Sequence, residues 1–190
     1  GAPAAPHSIQ RTRTFFPPSS DMKTVWAQLS HNVEGACASA RREGLIAARA
    51  SFFVKSQDFR YRGAEVKLPY PSDAPHDILR ALRPVFLKTY QSGVRYRASG
   101  VTLFAFRGEH DLQLDLWDER VEARRISTVF SAADILAKKY GVQVVSLGSS
   151  LLATRTPAWR SAQELAYRER FRIPGTGIKH LPIPVLGEVL

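Results

Sequence analysis

Along this chain the spacing of apolar residues switches repeatedly between two and about 3.6, and each switch marks a new element. Ser8 to Phe15 alternates and contains β-branched residues, which predicts a short strand ended by Pro17 and Pro18. Ser19, Ser20 and Asp21 then offer helix caps, and Val25, Leu29, Val33, Ala36, Cys37 and Ala40 recur at helical spacing until Gly44. From Leu45 to Ser56 the period returns to two. Ile46, Ala48, Ala50, Phe52 and Val54 are expected on one face, and Arg49, Ser51, Phe53 and Lys55 on the other. After the turn segment 57–63, Ala64, Val66 and Leu68 alternate with Glu65 and Lys67, predicting a hairpin. Ser72, Asp73 and Pro75 open a second helix with an apolar stripe through Ile78, Leu79, Leu82, Val85, Phe86 and Tyr90, in which Pro84 should produce a kink. Val94 to Phe106 reads as a further strand, with Gly100 as a candidate bulge.

The resulting order, βαββαβ, predicts an α+β domain: a split (ferredoxin-like) antiparallel sheet with two helices on one face and the other face open. An acidic stretch, 108–119, follows. Val121 to Tyr140 predicts an appended helix with Lys138 and Lys139 in its last turn, and Val142 to Leu147 a further strand. The expected organisation is 1–7 as an expression scar or linker, 8–107 as the core, 108–118 as a loop, 119–150 as the appended helix and strand, and 151–190 as a C-terminal extension. The proline-rich end from Ile173 gives no readable pattern.

Charge adds the first functional indication. The chain has 27 Lys and Arg against 17 Asp and Glu, a formal net charge of +10, which favours a polyanionic partner, nucleic acid first and an anionic membrane surface second. No run of eighteen apolar residues and no basic-then-apolar leader is present, so neither a membrane span nor a secretion signal is expected. A single cysteine, Cys37, excludes an internal disulfide and a cysteine-cluster zinc site and fits a reducing, cytoplasmic compartment. Its place on an apolar helix face predicts an inert thiol.

Strand alternation predicts where the cations point. With the apolar sides against the helices, Arg11, Arg13, Arg49, Lys55, Lys67, Arg95 and Arg97 are expected on the open face, with Ser51 and Ser99 adding small hydroxyl donors and Arg60 and Arg62 extending the patch. Charged residues on an open sheet also serve solubility alone, and Arg41 and Arg42 have a simpler role opposing the negative end of their helix. Glu109, Asp111, Asp115, Asp118 and Glu119 cluster in sequence without the accompanying ligands of a two-metal nuclease, and the five histidines have no ligand spacing. No Gly-rich phosphate loop exists, and no clear set of exposed aromatics favours an RNA-binding ferredoxin-like sheet.

Several segments together resemble a known family. Ser8 to Phe15, Phe53-Val54-Lys55-Ser56 with Phe59-Arg60-Tyr61, Val66-Lys67-Leu68-Pro69 and Gly93 to Val101 resemble the little-finger domain of Y-family translesion DNA polymerases, the DinB/UmuC (ImpB/MucB/SamB) group. Ala133 to Gly141 is similar to the segment appended in many members. The resemblance covers roughly residues 8–150. It implies a domain whose exposed sheet rests in the major groove of duplex primer-template DNA, with Arg11, Arg13, Lys55, Arg95 and Arg97 as phosphate contacts. It also implies that catalysis and its Mg belong to a palm domain of the parent chain, so that this chain holds no cofactor and does not polymerise alone. The parent's catalytic core is then a partner, and the expected location is the bacterial nucleoid.

Gln113-Leu114-Asp115-Leu116-Trp117 resembles the pentapeptide that binds the bacterial sliding clamp, the beta subunit of the replicative polymerase, with Trp117 where Phe is commoner. Gln113 suits a polar pocket, while Leu116 and Trp117 suit an apolar one. The plainer alternative is a short strand packing Leu112, Leu114 and Leu116 on the core. A non-catalytic clamp-binding scaffold or protein-interaction module of the DNA damage response is the second functional reading.

Overall fold

The computed structural model describes residues 6–108, 118–140 and 145–155. In chain order these form β1 (Ser8–Ser19), α1 (Met22–Arg42), β2 (Leu45–Ser56), β3 (Tyr61–Ser72), α2 (Pro75–Thr89), β4 (Tyr96–Gly108), α3 (Asp118–Tyr140), a 3-10 turn (Gly148–Ser150) and α4 (Leu151–Arg155). The four strands make one antiparallel sheet in the order β1-β4-β2-β3. Since β4 separates β1 from β2, and β2 separates β3 from β4, each core helix joins two parallel strands with a third between them. This is the split βαβ arrangement used twice, the α+β architecture that the element order predicts.

Both core helices lie on the same face, α1 over β1 and β4 and α2 over β3 and β2. Helical spacing brings Val25, Leu29, Val33 and Ala36 of α1 and Ile78, Leu82 and Phe86 of α2 inward, against Ala50, Phe52, Val54, Val101 and Leu103 of the sheet. Phe86 is the centre of this layer, 4.9 Å from the Trp26 ring and 6.0 Å from that of Phe52. Burying a side chain of this size stabilises the fold by about 1.5–3 kcal/mol.

The caps follow the residue chemistry. Asp21 accepts from the Thr24 backbone N–H and hydroxyl, both at 2.7 Å, and these bonds hold its carboxyl below the usual carboxylate range. The chain leaves α1 through Gly44 at φ 63°, a conformation that glycine adopts without steric cost. In α2, Pro75 begins the helix and Asp77 accepts from the Ser72 hydroxyl at 2.6 Å.

Three details depart from the pattern read along the chain. β1 continues past Pro17 and Pro18 to Ser19, because it is an edge strand where missing N–H groups leave no partner unsatisfied. In β2 the register against β3 shifts between Ala47 and Arg49, so the buried positions are Leu45 and Ala47 before the shift and Ala50, Phe52 and Val54 after it, rather than one unbroken alternation. Val145 to Leu147 form no strand, and 142–144 lie outside the described residues. Instead, the 3-10 turn and α4 pack against α1.

That second layer makes α1 a sandwiched helix. Glu34 is buried and accepts from the Leu147 backbone N–H at 2.5 Å. Arg41 does not merely offset the helix dipole: it is nearly buried, donates from Nε and Nη2 to Asp134 of α3 at 2.6 and 3.1 Å, and donates from Nη1 to the Asp73 carbonyl at 2.7 Å. Its guanidinium also lies 5.5 Å from the Phe130 ring centroid.

Candidate nucleic-acid interface

The pairing registers define the open face row by row. Ser8, Phe104, Arg49 and Lys67 form one row; Gln10, Thr102, Ser51 and Glu65 the next; then Thr12, Gly100, Phe53 and Gly63; and finally Thr14, Ala98, Lys55 and Tyr61. Phe53 lies against Gly100, where a Cβ would sit 2.3 Å from the ring. Cations therefore occupy the two ends of the face, Arg49 and Lys67 at one and Lys55 at the other, with small polar positions and Phe53 between.

Arg97 joins the Lys55 end. Ala98 pairs with Lys55 but Tyr96 pairs with Ser56, which leaves Arg97 as an extra, bulged residue. Its guanidinium lies 4.8 Å from the Phe59 ring centroid. The Lys55 ammonium lies 4.7 Å from the centroids of both Phe59 and Tyr61, and Phe53 and Tyr61 are 5.4 Å apart. At the opposite end Arg49 pairs with Glu65 at 2.8 Å, both side chains about half exposed, a contact worth about 0–1 kcal/mol in that setting.

The same bulge corrects the expected position of Ser99. It faces α1, is fully buried, and its carbonyl and hydroxyl accept from the Asn32 side-chain amide at 2.9 and 3.0 Å. Arg11 and Arg13 are also not on the open face. They pair with Val101 and Ser99, so they project on the helix side, where Arg11 donates to the Ser39 hydroxyl at 2.6 Å. Arg13 is half-buried. Burial first, and the Arg13 charge second, push the His31 pKa down. His31 Nδ1 lies 3.8 Å from Glu34, beyond hydrogen-bond reach. Arg62 pairs with Val54 on the helix side of edge strand β3.

Arg60 lies at the rim, exposed and 3.0 Å from Asp58. Arg95 is exposed just ahead of β4, and its carbonyl accepts from the Gln57 N–H at 2.8 Å. Of the ten residues assigned to DNA contact from the sequence, the structure thus brings Arg49, Lys55, Lys67 and Arg97 onto the open face. Gln113, Leu114, Asp115, Leu116 and Trp117 lie outside the described residues.

The expectation that the open sheet carries no clear set of exposed aromatics does not hold. Phe59 and Tyr61 are 61% and 62% exposed, and with Phe53 they form a cluster on the open face. Lys55 opposite Tyr61 was the available signal, but it needs the hairpin register. Cys37 is buried, and desolvation pushes its thiol far above the ordinary range, away from nucleophilic use. Among the described residues no group of three or more His, Cys, Asp or Glu side chains could hold a metal ion, and no helix is long and apolar enough to cross a membrane.

Residues 6–116 match the impB/mucB/samB family C-terminal domain. The chain belongs to that family. The match bears out the little-finger resemblance read from the sequence, and it places the sheet, both core helices and the start of the following segment within the impB/mucB/samB domain. Among solved structures, DinB from Sulfolobus solfataricus is similar at 14% identity and TM-score 0.44, over 51% of this chain and 28% of that one. A Dbh DNA polymerase in an insertion ternary complex is similar at 16% identity and TM-score 0.42, over 51% of this chain and 28% of that one. The little finger domain of PolIV, solved in complex with the beta-clamp processivity factor, is similar at 18% identity and TM-score 0.41, over 58% of this chain and 98% of that one. The chain thus spans less than a third of the length of the two larger relatives. No curated protein matches it.

Proposed function

We infer that this domain holds the duplex primer-template of a translesion DNA polymerase by its backbone, using the open sheet face. The carrying observation is the placement of Arg49 and Lys67 at one end of that face and Lys55 and Arg97 at the other. Arg49 and Lys55 are six positions apart along β2, about 20 Å at strand rise. Cations on long side chains at the two ends suit the phosphates that flank a major groove about 12 Å wide. Between them, Ser51, Thr102 and Thr12 present a low surface that admits the groove edge. The contacts are with phosphate, so binding is independent of sequence.

In this reading polymerisation and its Mg belong to a palm domain of the parent polymerase, while Gln113 to Trp117, between β4 and α3, tethers the domain to the sliding clamp of a bacterial cell. Titration of labelled duplex DNA at several salt concentrations tests the first part. Neutralising about four phosphates gives a log K against log salt slope near −3.6. A flat salt dependence overturns it. Substituting Leu116 and Trp117 with alanine is expected to cost roughly 2 kcal/mol or more of clamp affinity; unchanged affinity removes the tether. Clamp binding without duplex binding would favour the second reading, a clamp-bound protein-interaction module.

A further inference from the structure

The hairpin end of the open face has features that phosphate gripping does not require. Phe59 and Tyr61 present more than half of their surface to solvent, although burial is what normally repays an aromatic side chain. Phe59 also adopts φ 66°, where a bulky residue is a steric outlier and glycine or asparagine would sit more easily.

The turn that imposes this conformation is firmly built. The Ser56 backbone N–H donates to the Arg60 carbonyl at 2.9 Å, the Ser56 hydroxyl accepts from the Arg60 N–H at 3.1 Å and donates to Asp58, and the Phe59 N–H donates to the Ser56 carbonyl at 3.1 Å. Gln57 ties the turn to the start of β4 through the Arg95 carbonyl at 2.8 Å. Phe59 is therefore presented outward in a fixed attitude. Lys55 and Arg97 stand against its ring, and Phe53 and Tyr61 extend the aromatic surface along the sheet.

Exposed rings interleaved with cations are the pairing that single-stranded nucleic acid needs, since a base stacks on the ring while its flanking phosphates meet the cations. An apolar protein partner would favour the rings alone, without two cations spread over them. Resting on the duplex-holding function proposed above, we propose that Phe59, Tyr61 and Phe53, with Lys55 and Arg97, form a stacking site for an unpaired nucleobase of the DNA strand that continues beyond the duplex held on the same face.

Fluorescence anisotropy with three labelled DNAs tests this in the full chain: a blunt duplex, the same duplex with a four-nucleotide thymidine overhang, and the same overhang made abasic, which keeps the phosphates and removes the bases. The base-bearing overhang is expected to bind ~5-fold to ~150-fold more tightly than the abasic one, the range for stacking one base. Phe59→Ala and Tyr61→Ala should erase that difference while blunt-duplex affinity stays within about twofold, and Phe59→Trp should retain it. Equal affinity for the base-bearing and abasic overhangs overturns the stacking site, as does an equal loss on all three DNAs in the alanine variants. Blunt-duplex binding that persists in those cases leaves the phosphate-holding function standing. Overhang binding with no blunt-duplex binding overturns that function and keeps the stacking site. Preference for an apolar peptide over every DNA would assign the cluster to a protein partner instead.

Discussion

Arg11 donates to the Ser39 hydroxyl on α1 at 2.6 Å, and Arg42 donates to the same oxygen at 2.9 Å. The first edge strand thus spends an arginine within the domain rather than on the open face. Arg11→Ala is expected to leave duplex affinity within about twofold, whereas Lys55→Ala and Arg97→Ala should each weaken it and reduce the salt slope by about one. Parallel salt titrations of the three variants check this ordering; an Arg11→Ala loss equal to that of Lys55→Ala would reverse it.

Gly100→Ala places a methyl group where only hydrogen fits. The new Cβ would meet the Phe53 ring at 2.3 and 2.7 Å and the Thr12 hydroxyl at 2.8 Å. The ring must lift from the sheet, at a cost of about 1–3 kcal/mol. Urea denaturation should show this loss, and overhang preference should fall with it because Phe53 leaves the aromatic surface.

Asn32→Ala removes both side-chain hydrogen bonds to Ser99, one to its carbonyl and one to its buried hydroxyl. A loss of about 1–3 kcal/mol is expected in denaturant titration, with duplex affinity unchanged in the folded fraction. Ser99→Ala keeps the carbonyl bond and should cost less.

Cys37 sets a pH dependence of stability. Burial raises its folded pKa, so the unfolded chain releases the thiol proton first as pH rises. Its contribution is fully present below the unfolded value of about 8.5 and declines above it, by up to about 1.4 kcal/mol per pH unit. Thermal melts between pH 7 and 10 should show that decline, and Cys37→Ala should flatten it. The native thiol is also expected to resist alkylation at pH 8.

The kind and order of elements were legible because each has a clean period: the α1 stripe from Val25 to Ala40 and the α2 stripe from Ile78 to Phe86 repeat at helical spacing and turn toward the sheet. Which way the strand cations point was not, because a one-residue irregularity exchanges the two faces. The extra residue at Arg97 turns Ser99 inward, and the shift after Ala47 breaks the phase of β2. For β1 a sign was present. Period two puts Ile9 and Phe15 on the side of Arg11 and Arg13, and since Phe15 is buried, the arginines follow it toward α1, with their apolar stems along the helix. The aromatic cluster depends on the hairpin register and on an unusual Phe59 backbone, neither of which alternation encodes.

The anchoring of Arg41 on Asp134, Asp73 and Phe130 has a mechanical corollary. It rivets α3 to the body of the domain, so Arg41→Ala is expected to release α3 from α1 while the sheet and its open face keep their geometry.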